Sequence, residues 1–172
     1  SRQPGSSIKP LAYAAAFIKG YTPNTILYDV VTNFAASGPA YEPRNYNGKE
    51  YGPVSMKKAL AGSLNVPAVK TLYLAGIDRV LDLAKKMGYT TLADKNRLGL
   101  SMVLGGGEVK LLEHTNAYSA FAREGMIHSP AFILKIEDRH GKILEEFKDN
   151  ETKVFEPNIA REINYILTDN SE

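Results

Sequence analysis

The chain has 172 residues, of which 44% are hydrophobic and 23% charged, and its net charge is +2. This is the size and composition of one globular domain with a substantial core. It gives no case for nucleic-acid binding, since neither a basic run nor basic–aromatic interleaving is present. The absence of cysteine excludes disulfides and thiol catalysis, and no segment has the roughly 18 consecutive apolar residues of a membrane span.

The first element begins almost at residue 1. Arg2-Gln3-Pro4-Gly5-Ser6-Ser7-Ile8-Lys9-Pro10 contains a Ser-x-x-Lys pair, Ser6 and Lys9, followed by the apolar run Leu11 to Ile18. The run predicts a buried helix, stopped by Gly20 and Pro23. A lysine three residues after a serine lies on the same helix face, so Lys9 is expected to reach the Ser6 hydroxyl. A serine hydroxyl is a poor nucleophile until a base takes its proton, and lysine serves as that base once burial lowers its pKa. Gly5 permits a sharp turn into the helix, and the helix N-terminus favours developing negative charge. Taken alone, the pair also reads as a Ser N-cap beside a solvated lysine.

Residues 21–53 carry Pro23, Pro39, Pro43 and Pro53 and lack helical periodicity. They read as a long ordered excursion with short strands around Ile26-Leu27-Tyr28-Asp29 and Ala40-Tyr41. Its aromatic residues either line a cleft or pack the loop onto the body. Ser55 then caps a short helix through Gly62, and Pro67 suits the first turn of a second helix through Ala75, closed by Gly76. Asp78 caps a third, Arg79 to Met87, with Val80, Leu83, Ala84 and Met87 on one apolar face and Gly88 at its end.

Ser63-Leu64-Asn65 falls on the junction of the first two of these helices. Ser63 is suited to relaying a proton, and the two-sided amide of Asn65 to holding Lys9 and a substrate carbonyl. Plain helix capping explains the same residue types. The glycines of Leu104-Gly105-Gly106-Gly107-Glu108-Val109 lack the spacing of a phosphate cradle and point to a hinge or a close backbone contact. Leu111 to Ala122 reads as a helix ended by Gly125. Phe132 to Glu137 and Ile143 to Phe147 read as a β-hairpin, and Pro157 opens a last helix through Leu167. His114, His128 and His140 lack metal-ligand spacing and read as surface or packing residues, so neither a metal nor a cofactor is expected.

In order and separation, three blocks resemble the transpeptidase domain of class A, bifunctional penicillin-binding proteins. They are the segment around Ser6, the stretch Ser63-Leu64-Asn65-Val66-Pro67-Ala68-Val69, and Leu104 to Val109 with Ala117 to Gly125. The resemblance covers essentially all of the chain. It implies an α/β (α+β) fold of the penicillin-binding-protein and serine β-lactamase type, here its mainly helical lobe, with the central antiparallel sheet largely missing. It implies Ser6 as the acylated nucleophile, Lys9 as its base, and Ser63 and Asn65 as aids to proton transfer and substrate holding. The Ser6 backbone N–H would be one oxyanion donor. The implied reaction is cross-linking of peptidoglycan stem peptides through an acyl-enzyme formed at a D-alanyl-D-alanine end, with β-lactams acylating the same serine.

The family's third motif, Lys-Thr-Gly, does not occur, and the chain stops at Asn170-Ser171-Glu172. Residues 1–172 are therefore expected to be part of a transpeptidase domain, inactive alone and completed by companion segments of the same protein. The family further implies a membrane anchor and a glycosyltransferase domain upstream, and an active site on the extracytoplasmic side of the bacterial membrane. A D,D-carboxypeptidase or β-lactamase would share Ser6 and Lys9, with Glu108 or Glu42 as candidate deacylating bases. A non-catalytic β-lactam sensor would keep the pocket without acyl transfer.

Overall fold

A computed structural model describes residues 1–35, 37–92 and 98–169. Its centre is helix α1 (Lys9–Ile18), in which every residue but Ile18 is buried. A helix that is apolar all round belongs in a core, and Ala14, Ala15 and Ala16 are fully enclosed there. Small side chains on all faces let neighbours approach closely. Helices α3 (Asn65–Ala75), α4 (Ile77–Lys86) and α6 (Pro157–Leu167) each pack on α1. Pro10 occupies the first turn of α1, where its missing N–H is no loss. Gly20 ends the helix at φ +105°, with Gly20 N–H on Phe17 O and Tyr21 N–H on Ala16 O. That pair of bonds is a Schellman stop.

Helix α2 (Met56–Ala61) starts where the sequence predicts, the Ser55 hydroxyl accepting from Lys58 N–H at 3.2 Å. In α4 the expected face is buried through Val80, Leu83 and Ala84, with Met87 beneath the helix end. The cap of α4 differs from expectation: Gly76 is the N-cap and Asp78 lies inside the first turn. An acidic residue there still complements the helix dipole. Helix α5 (Leu111–Ala122) and α6 pack on each other, and α6 spans the predicted residues.

The strands form three separate two-stranded antiparallel ribbons among the described residues. Strand β1 (Ile26–Asp29) pairs with β2 (Gly52–Ser55), Leu27 opposite Val54. The second strand expected in the excursion, at Ala40-Tyr41, is irregular backbone tied by Phe34 N–H on Tyr41 O and Tyr41 N–H on Asn33 Oδ1. Strand identity depends on the partner more than on local composition, and the partner of β1 is the segment running into Ser55. Strands β3 (Met126–His128) and β6 (Glu151–Lys153) pair beneath α5. The predicted hairpin is β4 (Lys135–Glu137) with β5 (Ile143–Glu146). The paired register begins at Lys135; Phe132, Ile133 and Leu134 are exposed, and Leu134 O accepts from Phe147 N–H at 2.8 Å just outside it.

The glycine-rich segment is a close backbone contact. Arg2 and Val109 exchange two backbone hydrogen bonds of 2.9 Å, which lays Gly105 directly on Gly5. A Cβ on Gly105 would stand 2.4 Å from Gly5 N, so only glycine fits. Gly5 itself has φ +58° but open space around its own Cβ position. The two positions therefore separate clash from backbone strain. In the full-length protein, Gly105→Ala is expected to cost about 2–4 kcal/mol, adding overpacking to a positive φ. Gly5→Ala should cost about 1 kcal/mol, from the positive φ alone. Paired denaturant titrations check the ordering.

Candidate active site

Ser6 lies in a 3₁₀ turn, Gly5–Ile8, that leads directly into α1, and its side chain is exposed. As an early residue of that turn its N–H has no partner within the helix. Lys9, the first residue of α1, is only 1% exposed. Its amine meets three acceptors from one place: Ser63 O at 2.6 Å, Asn65 Oδ1 at 2.8 Å and Ser63 Oγ at 3.2 Å. Burial lowers the Lys9 pKa to about 8. Desolvation disfavours the ammonium, and the three acceptors carry no counter-charge.

The expected bond between Lys9 and the Ser6 hydroxyl is not formed. An ammonium has three N–H donors, and the α2–α3 junction occupies all of them. Among the described residues the Ser6 hydroxyl has no hydrogen-bond partner, and the residue is exposed. Three of the four predicted residues, Lys9, Ser63 and Asn65, are joined directly. The fourth, Ser6, sits in the 3₁₀ turn that leads into α1 and bonds none of them.

The junction is built unusually. Leu64 N–H bonds Ala59 O at 2.9 Å and Ser63 N–H bonds Leu60 O at 3.0 Å. These are the two bonds of a Schellman motif, whose left-handed position normally holds glycine. Here Ser63 occupies it, at φ +51°. A non-glycine residue held there stores roughly 1–3 kcal/mol of strain, and in return its carbonyl and hydroxyl both face Lys9. The bland reading of Ser63 as a capping side chain does not hold, since its hydroxyl bonds Lys9 and caps neither helix.

Asn65 opens α3, whose N-cap, Leu64, provides no side-chain bond. The cap comes instead from the excursion: Asn45 Oδ1 accepts from Asn65 N–H at 2.7 Å. Asn65 Nδ2 donates to Arg44 O at 2.9 Å. The orientation of the Asn65 amide follows from its neighbours. Lys9 only donates and a carbonyl only accepts, so Oδ1 must face the amine.

Sequence reasoning missed a brace beneath the serine. Ser7 Oγ donates to Pro4 O at 2.6 Å and lies 2.9 Å from His114 Nε2, while His114 Nδ1 lies 2.7 Å from Tyr89 O–H. Tyr118 O–H donates to Ser7 O at 2.5 Å. Ser7 gives its one proton to Pro4 O, so its oxygen accepts from His114 Nε2–H, and in the neutral ring Nδ1 accepts from Tyr89 O–H. Burial lowers the His114 pKa and so favours the neutral ring. His114 was legible only as a lone histidine because Tyr89 and Ser7 are distant in sequence. His128 pairs with Asp149 at 2.6 Å, and His140 is exposed. Glu42 and Glu108 are exposed, and neither bonds Ser6, Lys9, Ser63 or Asn65. Among the described residues no cluster of side chains suited to a metal occurs, and no helix is long and apolar enough to cross a membrane.

A family model described as the penicillin binding protein transpeptidase domain matches residues 1–172. Penicillin-binding protein 1A of Aquifex aeolicus is 41% identical over 153 residues, covering 84% of this chain and 20% of that protein. Penicillin-binding protein 2D of Bacillus subtilis is 37% identical over 162 residues, covering 92% of this chain and 23% of that protein. The chain thus spans about a fifth of the length of these relatives. Among solved structures, penicillin-binding protein 1A of Haemophilus influenzae superposes with a TM-score of 0.85 at 23% identity, over 98% of this chain and 30% of that one. PonA1 of Mycobacterium tuberculosis gives 0.84 at 22%, over 95% of this chain and 46% of that one. The fold is the one these structures share, and the chain belongs to the penicillin-binding protein transpeptidase domain family.

Proposed function

We propose that this chain carries the serine acylation centre of a peptidoglycan D,D-transpeptidase inhibited by β-lactams. The observation that carries the reading is Lys9: a buried amine, lowered to about 8, held on Ser63 Oγ and Asn65 Oδ1, with the exposed Ser6 in the turn that leads into its helix. In its neutral form Lys9 has two donors and a lone pair. Ser63 O and Asn65 Oδ1 keep the donors, and the lone pair is available for a proton from a hydroxyl.

The Ser6 oxygen attacks the carbonyl of the penultimate D-alanine of a stem peptide, and its proton passes to Lys9. The carbonyl oxygen becomes an oxyanion at the positive end of α1, where the Ser6 N–H is unpaired. Collapse breaks the C–N bond to the terminal D-alanine, whose nitrogen takes the proton from Lys9 through the Ser63 hydroxyl. An amine from a neighbouring stem peptide then attacks the acyl carbon. It gives up a proton along the same route and releases Ser6 with the cross-link formed. A strained β-lactam amide enters the first half of this sequence. Penicillin-binding protein A of Mycobacterium tuberculosis has been captured as a penicillin G acyl-enzyme complex, which supports this reading for a related fold.

Residues 1–172 are in this reading part of a transpeptidase domain whose remaining wall comes from other segments of the same protein. Substrate and reaction set its place on the extracytoplasmic face of the bacterial membrane, where peptidoglycan is. A hydrolase would need a base facing the acyl-enzyme, and neither exposed glutamate is joined to the site.

Intact-mass analysis of the full-length protein with benzylpenicillin tests the assignment. One adduct on the Ser6 peptide, absent in Ser6→Ala, is expected; an adduct elsewhere, or none, overturns it. The acylation rate should rise with pH and level off around a midpoint of about 8, because the neutral amine accumulates through that pKa. A flat profile from pH 6 to 10 contradicts Lys9 as the base. Ser63→Gly should lower stability by about 1 kcal/mol, because losing the hydroxyl acceptor of the buried Lys9 amine outweighs relief of the positive φ. The same variant should lower acylation about 100-fold by removing the relay hydroxyl. Thermal melts and stopped-flow acylation on one preparation check both signs.

A further inference from the structure

Asn45 lies in the excursion, twenty positions before Asn65 in sequence, and is only 7% exposed. Its side chain makes four contacts. Oδ1 accepts from Asn65 N–H at 2.7 Å and Val66 N–H at 3.4 Å, and Nδ2 donates to Asp29 Oδ2 at 2.7 Å and Lys49 O at 2.9 Å. Asp29, at the end of β1, is fully buried and also accepts from Tyr51 N–H at 3.0 Å. Asn45 is thereby fixed from behind by a carboxylate and a carbonyl, and in front it closes the N-terminus of α3.

This arrangement controls both halves of Asn65. Asn45 holds its backbone, and the carbonyl of the preceding residue, Arg44, holds its Nδ2. With Nδ2 engaged, Oδ1 points at Lys9. If Arg44 and Asn45 moved away, the Asn65 amide would be free to turn its NH₂ toward an amine that also only donates. Asparagine is the residue this position needs, because it provides an acceptor to two helix amides and donors to Asp29 and Lys49 at once. An aspartate would set a second carboxylate against Asp29. An aliphatic residue would leave the α3 amides without their cap and Asp29 with Tyr51 N–H in place of two donors, which is costly.

We propose that Asn45 is a positioning residue for acylation, acting through Asn65 on Lys9, with Asp29 as its buried anchor. The proposal rests on the reading of Ser6, Lys9, Ser63 and Asn65 as the acylation centre. It makes the excursion a part of the active site's support, joined to it by hydrogen bonds across the β1–α3 contact. The charged groups facing this network are Asp29 on β1 and Lys70 on α3, whose amine donates to Tyr28 O and feels Asp29.

The test compares Asn45→Ala and Asn45→Gln with the unaltered full-length protein. Asn45→Gln keeps both groups but displaces them by a methylene, so it remains informative where truncation prevents folding. Two quantities are read. One is the titration of Lys9, followed by the NMR signal of its ¹³C-labelled ε-carbon and assigned by its loss in Lys9→Ala. The other is the high-pH plateau of benzylpenicillin acylation per folded molecule. With Asn65 no longer presenting its oxygen, the ammonium loses an acceptor. The Lys9 midpoint should fall by about half a pH unit or more below that of the unaltered protein, and the plateau should drop about 10-fold or more. A purely structural role would lower the melting temperature and leave both quantities where they were. An unchanged or raised midpoint in folded variants overturns the proposal. If the unaltered protein is not acylated at Ser6 yet the midpoint falls in the variants, the coupling stands and the transpeptidase reading is what fails.

Discussion

The burial of the Lys9 amine is the constraint on which the rest of the site depends. A lysine that is 1% exposed at the start of a core helix must have every donor satisfied. The three acceptors come from one short stretch, the junction between α2 and α3. Two segments more than fifty residues apart in sequence are thereby locked in register at the place where α1 and α3 pack together. The same burial that demands these partners also brings the amine down to about 8. Structural cost and chemical readiness have one cause.

That demand explains the strain at Ser63. A glycine at the left-handed position of the α2 stop would relieve the backbone, but its side would offer Lys9 only a carbonyl. Serine at φ +51° offers a carbonyl and a hydroxyl from one residue. Strain of this kind persists only where the surroundings over-determine it. Here the two Schellman bonds fix Ser63 from the α2 side, and the Asn45 cap on α3 fixes the next turn. Beneath Ser6 the same logic recurs in neutral form. Tyr89, His114 and Tyr118 pin Ser7, so the exposed Ser6 projects from a segment whose neighbours are tied down.

Much of this was legible in the sequence where local chemistry decides. The Ser55 cap, the Pro157 start and the apolar face through Val80, Leu83 and Ala84 follow from rules that act within a turn or two. Ser6, Lys9, Ser63 and Asn65 stand out in the sequence by the Ser-x-x-Lys and Ser-x-Asn spacing, and the structure joins the last three. What was hidden is what the tertiary fold decides. β2 is recognised only once β1 is its neighbour, so the expected strand at Ala40-Tyr41 went to the wrong segment. The missing contact between Lys9 and Ser6 has the same origin. Helix spacing puts the two on one face, but the acceptors that capture the amine belong to another helix pair. The roles of Asn45, Asp29 and His114 depend on partners between 16 and 107 positions away.

The chemistry of the support network is selective about charge. Every acceptor that touches Lys9 is neutral, and the nearest carboxylate on this chain of bonds, Asp29, is separated from the amine by the two amides of Asn45 and Asn65. A carboxylate in direct contact would favour the ammonium and raise the pKa, undoing the effect of burial. Two asparagines in series pass on the orientation that a buried aspartate provides without passing on its full charge. Asp29 is thus able to fix geometry strongly, as a charge-assisted acceptor, while burial holds the Lys9 pKa at about 8. The separation of a strong anchor from the buried amine by neutral, two-sided side chains accounts for amides at positions 45 and 65, where an acid would lack the donors that Asp29, Lys49 and Arg44 accept from.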